Sequence, residues 1–583
     1  MTEAPDGHGV ERGRSGGAAR SGRSPGARRP FVAAGHLVAI GLVSALAFAA
    51  CGGGDRVDLD AARAGIAVES LAQGVRDLSA DSMGGRAPAS IGEERTVRYL
   101  RDRFEALGLE PGAGDGWFQE VALVAVDGEP SRIAEIRGHG TVNHLQPGTD
   151  YVAVSGSAVE SVEVDDSELV FAGYGIIAPE HGWNDYADLD VRGKTVVVLV
   201  NDPGYATGDT MRFDGRAMTY YGRWTYKYEE AGRQGATGVL VVHSAGPAGY
   251  PWDVVRSGWT GEQFLLEGPA APATEFQGWL AEGTARTVFA QARFDFDSLA
   301  EAAAEPGFRA VPLGLRISLG IRNGIHRSTS RNVIARLPGR SRPDEHVVYM
   351  GHWDHLGTDP SLEGDSIYNG ALDNATGVSG ILEIAGAFRA AGRAPERSVL
   401  FLAVTAEEQG LLGSKYYAEH PVWPLAGTVA AINLDALNIY GPTRDVTVVG
   451  FGMSALDSVL AEAAGPAGRV LAPEPEPEKG SFFRSDHFEF AKQGVPALYL
   501  GAGVQDLRYG EAWARARHDE YTAERYHKPG DEYGPAWNLE GAVEDLRLLF
   551  TVGWSLADSD AWPNWREGTE FRALRDAMRP SPE

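Results

Sequence analysis

Histidine and carboxylate side chains recur through the second half of this 583-residue chain, each beside a stretch that predicts a strand end or a loop. The set consists of His352, Asp373, Glu408, Asp435 and His527. Imidazole nitrogens and carboxylate oxygens are ligands that suit zinc, and also cobalt or manganese. Five protein ligands are too many for one tetrahedral ion that must keep an open position. They fit two ions, about 3.5–4 Å apart, that share a bridging carboxylate. The sequence therefore predicts two Zn²⁺ ions, with Co²⁺ or Mn²⁺ as substitutes.

Asp373 is the predicted bridge, because it lies on a Gly/Asn-rich loop, NGALDNATG, that can approach both ions. One ion would then take His352 and Asp435. The other would take Glu408 and His527. Whether Asp373 bridges two ions or lies beside one is left open by the sequence.

Two further carboxylates complete the predicted chemistry. Glu407 adjoins a ligand but would point in a different direction, so it can hold the proton of a water between the ions and pass it to a leaving amine. Asp354, two residues after His352, can accept the other ring N–H of that histidine and fix its tautomer. The predicted catalytic residues are thus Glu407, as general base, and Asp354.

An α/β fold would bring these side chains together. Strand-like runs alternate with helical stretches after about residue 310, which is typical of a mostly parallel sheet flanked by helices. The predicted strands are HVVYMG, SVLFLAVTA, TVAAINLDAL, DVTVVG and VPALYLGAG, and the chain ends in a long helix over 536–558. Ligands bind outside the carboxyl ends of such strands, which is where the predicted site residues fall.

The rest of the chain divides into regions that differ in the pattern of apolar residues and loops. Apolar residues recur at helical spacing from Ala61 to Gly108, with Ser90 capping a helix that ends near Gly108. These helices belong to a predicted N-terminal part of the catalytic domain over 61–148. Short strands separated by Pro/Gly loops predict a separate β-rich domain over 149–305. The remaining divisions are a linker over 52–60, a catalytic domain over 306–565 and a C-terminal tail over 566–583.

The motifs resemble those of a known family. GHWDHLG, NGALDNATG, TAEEQGLLGS, NLDAL and RYHKPGDEY, together with SDHFEFAKQGVPALYL, are similar to peptidase family M28, the co-catalytic zinc metallopeptidases. The resemblance implies a zinc exopeptidase (phosphorylase/hydrolase-like) fold, an aminopeptidase activity on peptide substrates, and the seven roles assigned above. FAGYGIIAPEHGWNDYADLDVRGKTVVVLVND and KYEEAGRQGATGVLVV resemble a protease-associated domain, which this family carries as an insertion.

Side chains that flank these motifs are candidates for contacts to the substrate or to the metal ligands. Tyr526 could donate to a developing oxyanion. His355 and His487, with Asp486 and Asp531, could shape the pocket or support the ligands. Structural roles are the alternative for each of them.

Other activities stay open at this point. A glutaminyl cyclase-like enzyme would share the α/β architecture but hold one zinc ion, and a receptor-like relative would use the fold for binding. Gly-x-Ser-x-Gly occurs only at 13–17 and 22–26, without the strand–turn–helix context that a serine nucleophile needs. The His-Glu-x-x-His pattern of helix-borne zinc proteases is absent from the sequence.

Composition and the N-terminus predict an exported protein. A formal charge of −27 argues against nucleic acid as a partner. The apolar run from Phe31 to Ala50 precedes Cys51, the one cysteine of the chain, and resembles a lipoprotein export signal over residues 1–51. A twin-arginine signal at Arg28-Arg29 and an uncleaved anchor helix are the alternatives. We expect membrane contact only through an N-terminal lipid or anchor. The expected location is the cell envelope, the periplasm or outside the cell. The sequence leaves the oligomeric state open.

Overall fold

Strands and helices alternate through most of the computed structural model, which describes residues 57–268 and 272–578. The predicted export signal and Cys51 lie outside these residues. Among the described residues, no helix has both the length and the apolar character that crossing a bilayer requires.

Sixteen α-helices are found in the described ranges. In chain order they are α1 Leu59–Ala64, α2 Val68–Leu78, α3 Ile91–Ala106, α4 Pro203–Thr207, α5 Trp224–Arg233, α6 Ala245–Ala248, α7 Trp252–Gly258, α8 Glu282–Gln291, α9 Phe296–Ala303, α10 Thr376–Ala390, α11 Leu412–Glu419, α12 Leu456–Ala464, α13 His487–Lys492, α14 Glu511–Glu524, α15 Glu540–Ala557 and α16 Arg572–Met578.

The same ranges contain twenty β-strands. They are β1 Glu110–Pro111, β2 Phe118–Gly138, β3 Thr141–Leu145, β4 Tyr151–Ser155, β5 Ser161–Phe171, β6 Ile177–Ala178, β7 Trp183–Asn184, β8 Thr195–Leu199, β9 Gly238–His243, β10 Glu262–Leu266, β11 Phe276–Ala281, β12 Val311–Leu337, β13 Arg342–His352, β14 Gly357–Thr358, β15 Ile367–Tyr368, β16 Arg397–Val404, β17 Thr428–Asn433, β18 Asp445–Val449, β19 Val470–Pro473 and β20 Ala497–Gly501.

One sheet runs through the described residues in the order β19-β18-β20-β17-β13-β16-β12-β5-β8-β9-β11-β4. Strand β13 pairs in parallel with β16 and β17, and β17 pairs in parallel with β20. Antiparallel pairs at β18–β20 and β12–β16 make the sheet mixed. The predicted fold class, a mostly parallel sheet flanked by helices, is confirmed.

Both faces of the central strands are covered, which explains their nearly continuous apolar sequence. In β13, Val347 and Tyr349 face a core that α10 and α15 complete. Val348 and Met350 face a second core on the opposite side. Because side chains alternate along a strand, a strand covered on both faces must be apolar at every position.

The exceptionally long strand β12 joins two parts of the sheet. Its 27 residues pair with β5 through Val311–Arg322 and with β16 through Val333–Leu337. Along its other edge β12 pairs with β2. Residues 149–305, which the sequence predicts as a separate β-rich domain, therefore share a sheet with the predicted catalytic region, and they also contain α4 to α9.

Local signals at the N-terminal helices behave as predicted. The Ser90 hydroxyl accepts hydrogen bonds from the backbone N–H groups of Gly92 and Glu93, at 3.0 and 3.3 Å, and caps α3. Gly108, with φ +72°, follows the end of that helix. Helix α1 begins at Leu59, within the predicted linker, and α16 lies within the predicted tail.

Candidate active site

Most of the predicted site residues lie at the carboxyl ends of three neighbouring parallel strands. His352 is the last residue of β13. Glu407 and Glu408 follow the end of β16, and Asp435 follows the end of β17. Since β13 lies between β16 and β17, the polar side chains that follow these strands meet at one edge of the sheet.

Unusual backbone dihedral angles occur at or next to three of the predicted site residues. Ala406, Ala436 and His527 have φ values of 52°, 55° and 56°, in the left-handed region that non-glycine residues seldom occupy. Two of them stand next to Glu407 and Asp435, and the third is itself a predicted ligand. Such conformations concentrate at functional sites, where the surrounding structure must hold them against a cost of about 1–3 kcal/mol each.

The two histidines lie on opposite sides of Asp373. Its Oδ1 is 3.3 Å from Nε2 of His352, and its Oδ2 is 3.3 Å from Nε2 of His527. Asp435 Oδ1 lies 3.4 Å from His352 Nε2, and Glu408 Oε2 lies 3.0 Å from His527 Nε2. All five predicted ligands are therefore brought together, in the two groups that the sequence predicts.

Glu407 lies in the half of the site that contains His352. Its Oε2 is 4.0 Å from His352 Nε2, and the ligand atoms of His352, Glu407 and Asp435 all lie within 4.8 Å of one another. Those of His352, Asp373 and Glu408 do the same. Both groups contain His352, and each could hold a metal ion.

The electrostatics of the site favour positive charge. Burial by itself would lower the pKa of His352, but Glu407 and the other carboxylates raise it well above its usual value. Burial opposes a raised pKa at His527 too, yet hydrogen bonds to Asp373 and Glu408 raise it to about 10. Burial raises the pKa of Glu407 well above that of an ordinary glutamate, and the neighbouring Glu408 adds to this. A divalent cation is the ligand that this excess of carboxylate oxygens fits.

Asp354 supports the site in a different way from the prediction. The ring Nδ1 of His352 lies 3.2 Å from the backbone oxygen of Asp354, while the carboxylate Oδ1 is 4.0 Å away. The carboxylate instead accepts the backbone N–H groups of Glu407 and Glu408, at 3.1 and 3.4 Å. It turns towards these groups because they are buried donors that need an acceptor. Asp354 therefore positions the turn that carries Glu407.

The three flanking candidates have different surroundings. His355 Nδ1 lies 2.5 Å from Glu408 Oε1, so this buried histidine contacts a predicted ligand. Tyr526 lines the cavity described below, and its ring stacks on that of His527 with centroids 3.8 Å apart. His487 packs against Phe482 and Tyr499, and burial lowers its pKa to about 3. His487 thus lies in the core behind the cavity wall.

Residues beyond the predicted set hold the loops in place. Arg86 is buried and donates to four backbone oxygens, those of Leu78, Trp353, Asn369 and Gly370. Sequence reasoning missed this residue, since it lies 267 positions before Trp353 in a loop with no metal-ligand pattern.

Two other supports have signals in the sequence motifs. Asp531, which flanks the His527 motif, accepts the backbone N–H groups of Leu372 and Asp373 at 3.1 Å. Ser485 donates to Asp435 Oδ2 at 2.7 Å. The motifs RYHKPGDEY and SDHFEF thus supply the polar contacts that orient two ligands.

A cavity of about 440 Å³ opens beside these side chains, with Asp373, Glu407 and Asp435 in its wall. Apolar and aromatic side chains such as Leu437, Val449 and Tyr440 line other parts of it, and α14 contributes Tyr521. This volume is within the range of pockets that hold small ligands.

Comparisons with known proteins agree with the motifs. Residues 332–551 match the model of peptidase family M28. The chain is 33% identical over 138 residues to aminopeptidase NAALADL1 of Mus musculus, a match that covers 22% of this chain and 17% of the relative. It is 36% identical over 261 residues to a probable zinc metalloprotease of Pyrenophora tritici-repentis, covering 40% of this chain and 58% of the relative. The chain thus spans less than two thirds of the length of either relative.

Among solved structures, an aminopeptidase from Aneurinibacillus sp. strain AM-1 is similar at a TM-score of 0.48 and 18% identity, covering 87% of this chain and 97% of that one. The segment that matches peptidase family M28, residues 332–551, contains every predicted ligand from His352 to His527. This match agrees with the resemblance that the motifs show.

Proposed function

We propose that this protein is a zinc-dependent exopeptidase, and specifically an aminopeptidase that releases N-terminal residues from peptides. The match of residues 332–551 to peptidase family M28 supports a peptidase. Two similar proteins, an aminopeptidase of Mus musculus and a probable zinc metalloprotease of Pyrenophora tritici-repentis, support the finer assignment.

The proposal of two ions rests on the position of Asp373. Each of its carboxylate oxygens lies 3.3 Å from the Nε2 of a different histidine, His352 on one side and His527 on the other. A carboxylate between two such groups is the arrangement that a bridging ligand requires. The donor set also fits zinc, because it consists of imidazole nitrogens and carboxylate oxygens.

His352, Asp435 and Asp373 would hold one ion, and Glu408, His527 and Asp373 the other. When bound, two such ions supply a water that is acidic near neutral pH and polarise the scissile carbonyl.

The protein's own groups would handle the proton and the developing charge. Glu407, in the cavity wall, takes a proton from the attacking water and returns it to the leaving amine. The exposed Tyr526 offers a hydroxyl donor at the cavity, where charge develops on the substrate oxygen. Asp354 fixes the direction of Glu407 through the backbone N–H that it accepts.

Replacement of the general base tests the proposal. We expect Glu407→Ala to lose on the order of 10²–10⁴-fold in kcat while it keeps wild-type zinc content, because Glu407 moves a proton and is not a ligand. Kinetics and metal analysis on the same preparation measure both quantities. Glu419→Ala, an exposed glutamate at the end of α11, is the matched control. Near-normal turnover by a zinc-loaded Glu407→Ala variant would refute the assignment.

Metal counting and a peptide panel separate this proposal from its alternatives. Two zinc ions per chain are expected, whereas one ion would favour a glutaminyl cyclase-like enzyme. An aminopeptidase must cleave peptides with a free N-terminus and leave N-acetylated peptides intact. Cleavage of the acetylated peptides would instead indicate another exopeptidase or an endopeptidase specificity.

Two further assignments belong to the proposal. The resemblance of residues 149–305 to a protease-associated domain suggests that this region limits access to the cavity. The N-terminal sequence suggests export and attachment through a lipid on Cys51. Metabolic labelling with a fatty acid, compared between the full chain and Cys51→Ser, tests the attachment, and absence of label in the wild type would refute it.

A further inference from the structure

Residues 474–485, the wall segment, form one side of the cavity, and the predicted catalytic region holds both of their ends. At the first end, Glu474 Oε1 accepts the backbone N–H of Gly450 at 3.2 Å. At the other end, the Ser485 hydroxyl donates to the predicted ligand Asp435 at 2.7 Å. The stretch between the two ends consists of two short 3₁₀ turns, so it has few backbone hydrogen bonds of its own.

The first of these turns contacts residues 149–305, although every described residue that lines the cavity lies outside that region. The backbone N–H of Met218 donates to the carbonyl of Pro477 at 3.1 Å. The Met218 side chain lies so close to Gly480 that a Cβ added at this glycine would come within 2.7 Å of its sulfur atom. Met218 therefore contacts the wall segment on both sides of Lys479, which lines the cavity.

Tyr220 supports the second turn. Its buried ring stacks on that of Phe483 with centroids 6.3 Å apart, and it meets the ring of Phe488 edge-on at 5.0 Å. The Tyr220 hydroxyl donates to Glu229, whose Oε1 accepts a hydrogen bond from Lys492 Nζ at 3.2 Å. Contacts at both the ring and the hydroxyl thus fix Tyr220 against the wall segment.

We propose that Met218 and Tyr220 are positioning residues, which hold the wall segment in the conformation that binds the substrate. A short segment with few hydrogen bonds opens locally unless packing holds it in place. Since both ends are anchored in the predicted catalytic region, the middle of the segment can move while the metal ligands stay where they are. This inference rests on the proposed peptidase function and gives residues 149–305 a part in binding the peptide, through a wall that they support and do not line.

Digestion of the folded, full-length protein with trypsin tests these contacts without use of the peptidase activity. Lys479 and Arg484 are exposed cleavage positions in the wall segment, and cleavage there requires local opening. We expect Met218→Ala and Tyr220→Leu to be cleaved at these positions about tenfold faster than the wild type, the scale of one aromatic contact. Mass spectrometry identifies the cut. Met218→Ala is the smaller change and keeps the test decisive if the other variant does not fold.

The matched control is Tyr228→Leu. Tyr228 is another buried tyrosine of residues 149–305, but its ring packs against Trp224 and Trp259, in a core that contains no residue of the wall segment. Its hydroxyl donates to the carbonyl of Gly278 at 3.1 Å. The control loses comparable packing elsewhere in the same region, so it should keep the wild-type rate of cleavage in the wall segment.

Kinetics connect the wall segment with substrate binding. For a tripeptide that the wild type cleaves, Met218→Ala and Tyr220→Leu should raise KM about fivefold or more and keep kcat within about twofold, because contacts made equally to substrate and transition state affect KM alone. Tyr220→Phe keeps the stacked ring and should keep the wild-type KM. Zinc content should stay at the wild-type value in all three variants, because Ser485 remains anchored to Asp435.

The outcomes separate this inference from the function on which it rests. Wild-type cleavage by trypsin in both variants, or a wild-type KM in variants whose wall segment opens, would overturn the inference and leave the peptidase assignment intact. Equal acceleration in Tyr228→Leu would also overturn it, because the effect would then be a general loss of stability. If the zinc-loaded wild type hydrolyses no peptide, the proposed function fails, and the digestion still decides whether Met218 and Tyr220 hold the wall segment.

Discussion

Carboxylates are buried at the carboxyl ends of parallel strands in two regions of this protein, and they differ in what satisfies them. In residues 149–305, Asp202 follows β8. Its Oδ1 accepts the N–H groups of Gly204 and Tyr205 at 3.0 and 3.3 Å, and its Oδ2 accepts the N–H and hydroxyl of Thr219 at 3.2 and 2.8 Å. Burial raises the pKa of Asp202 to about 6, although the hydrogen bonds from Thr219 and the charge of the buried Lys227 act in the opposite direction.

At the candidate active site, carboxylate oxygens instead face histidine nitrogens and one another. Asp373 Oδ1 lies 3.3 Å from Nε2 of His352, and its Oδ2 lies 3.3 Å from Nε2 of His527. Position in the sheet therefore does not distinguish a metal site from a structural cluster. The difference lies in the donors: a carboxylate with all its lone pairs satisfied by N–H and O–H groups stabilises the fold, and one without them needs a cation.

The largest expected effect comes from the predicted bridge. On the proposal of two ions, Asp373→Asn should lower the zinc content to one ion per chain or none. It should also reduce kcat/KM on the order of 10³-fold, because the contribution of a metal ion to transition-state stabilisation is several kcal/mol. Metal analysis and kinetics at fixed zinc concentration measure the change. If two ions remained bound at wild-type affinity, Asp373 would not be the bridge.

Substitutions in the structural cluster around Asp202 should change the free energy of unfolding and leave the zinc content unchanged. Lys227→Met removes a buried amine whose pKa burial lowers to about 7 and whose charge acts on Asp202 and Asp185, and we expect the free energy of unfolding to fall by about 1–3 kcal/mol. Urea denaturation measures this loss. Zinc content should stay at the wild-type value. The control is Lys194→Met, whose partly exposed ion pair with Glu168 at 3.6 Å should matter by less than about 1 kcal/mol. Loss of zinc from Lys227→Met would break the distinction between the two clusters.

Glu570 shows a third way in which a buried carboxyl group is accommodated, which is a raised pKa. Glu570 Oε1 accepts the N–H of Tyr220 at 3.1 Å, and burial raises its pKa from 4.5 to about 7, with Asp214 and Glu180 adding to the shift. A folded-state pKa above the unfolded value contributes stability that is present below pH 4.5 and is lost as the pH rises through about 7.

We therefore expect the wild type to lose about 1–2 kcal/mol of stability, relative to Glu570→Gln, between pH 5 and pH 8, the smallest of the three effects. Urea denaturation of both proteins at the two pH values isolates this contribution from other titrating groups. The exposed Glu567→Gln serves as control. A constant difference between the curves of wild type and Glu570→Gln would show that Glu570 is charged throughout.

The sequence predicts the fold class and the ligands because both depend on short-range patterns. Apolar runs mark β13, β16 and β17, and the polar residues that follow them fall at one edge of any parallel sheet. The supporting contacts depend on loop conformation instead. Nothing in the sequence near Arg86 indicates that its guanidinium reaches Trp353, and the local spacing of His352 and Asp354 suggests a side-chain contact where the backbone oxygen lies closer.

The length of β12 also escaped prediction. Glycines at 314, 320 and 324 interrupt its alternating pattern, so the segment does not stand out as one strand.

Strand β12 limits how this protein can be shortened. Deletion of residues 149–305 would remove β5 from its edge and leave the backbone of Val311–Arg322 unpaired along one side. Such a bare row of N–H and C=O groups recruits strands from other molecules. A trimmed protein would therefore associate through this edge, and a soluble truncation needs charged or proline substitutions along it.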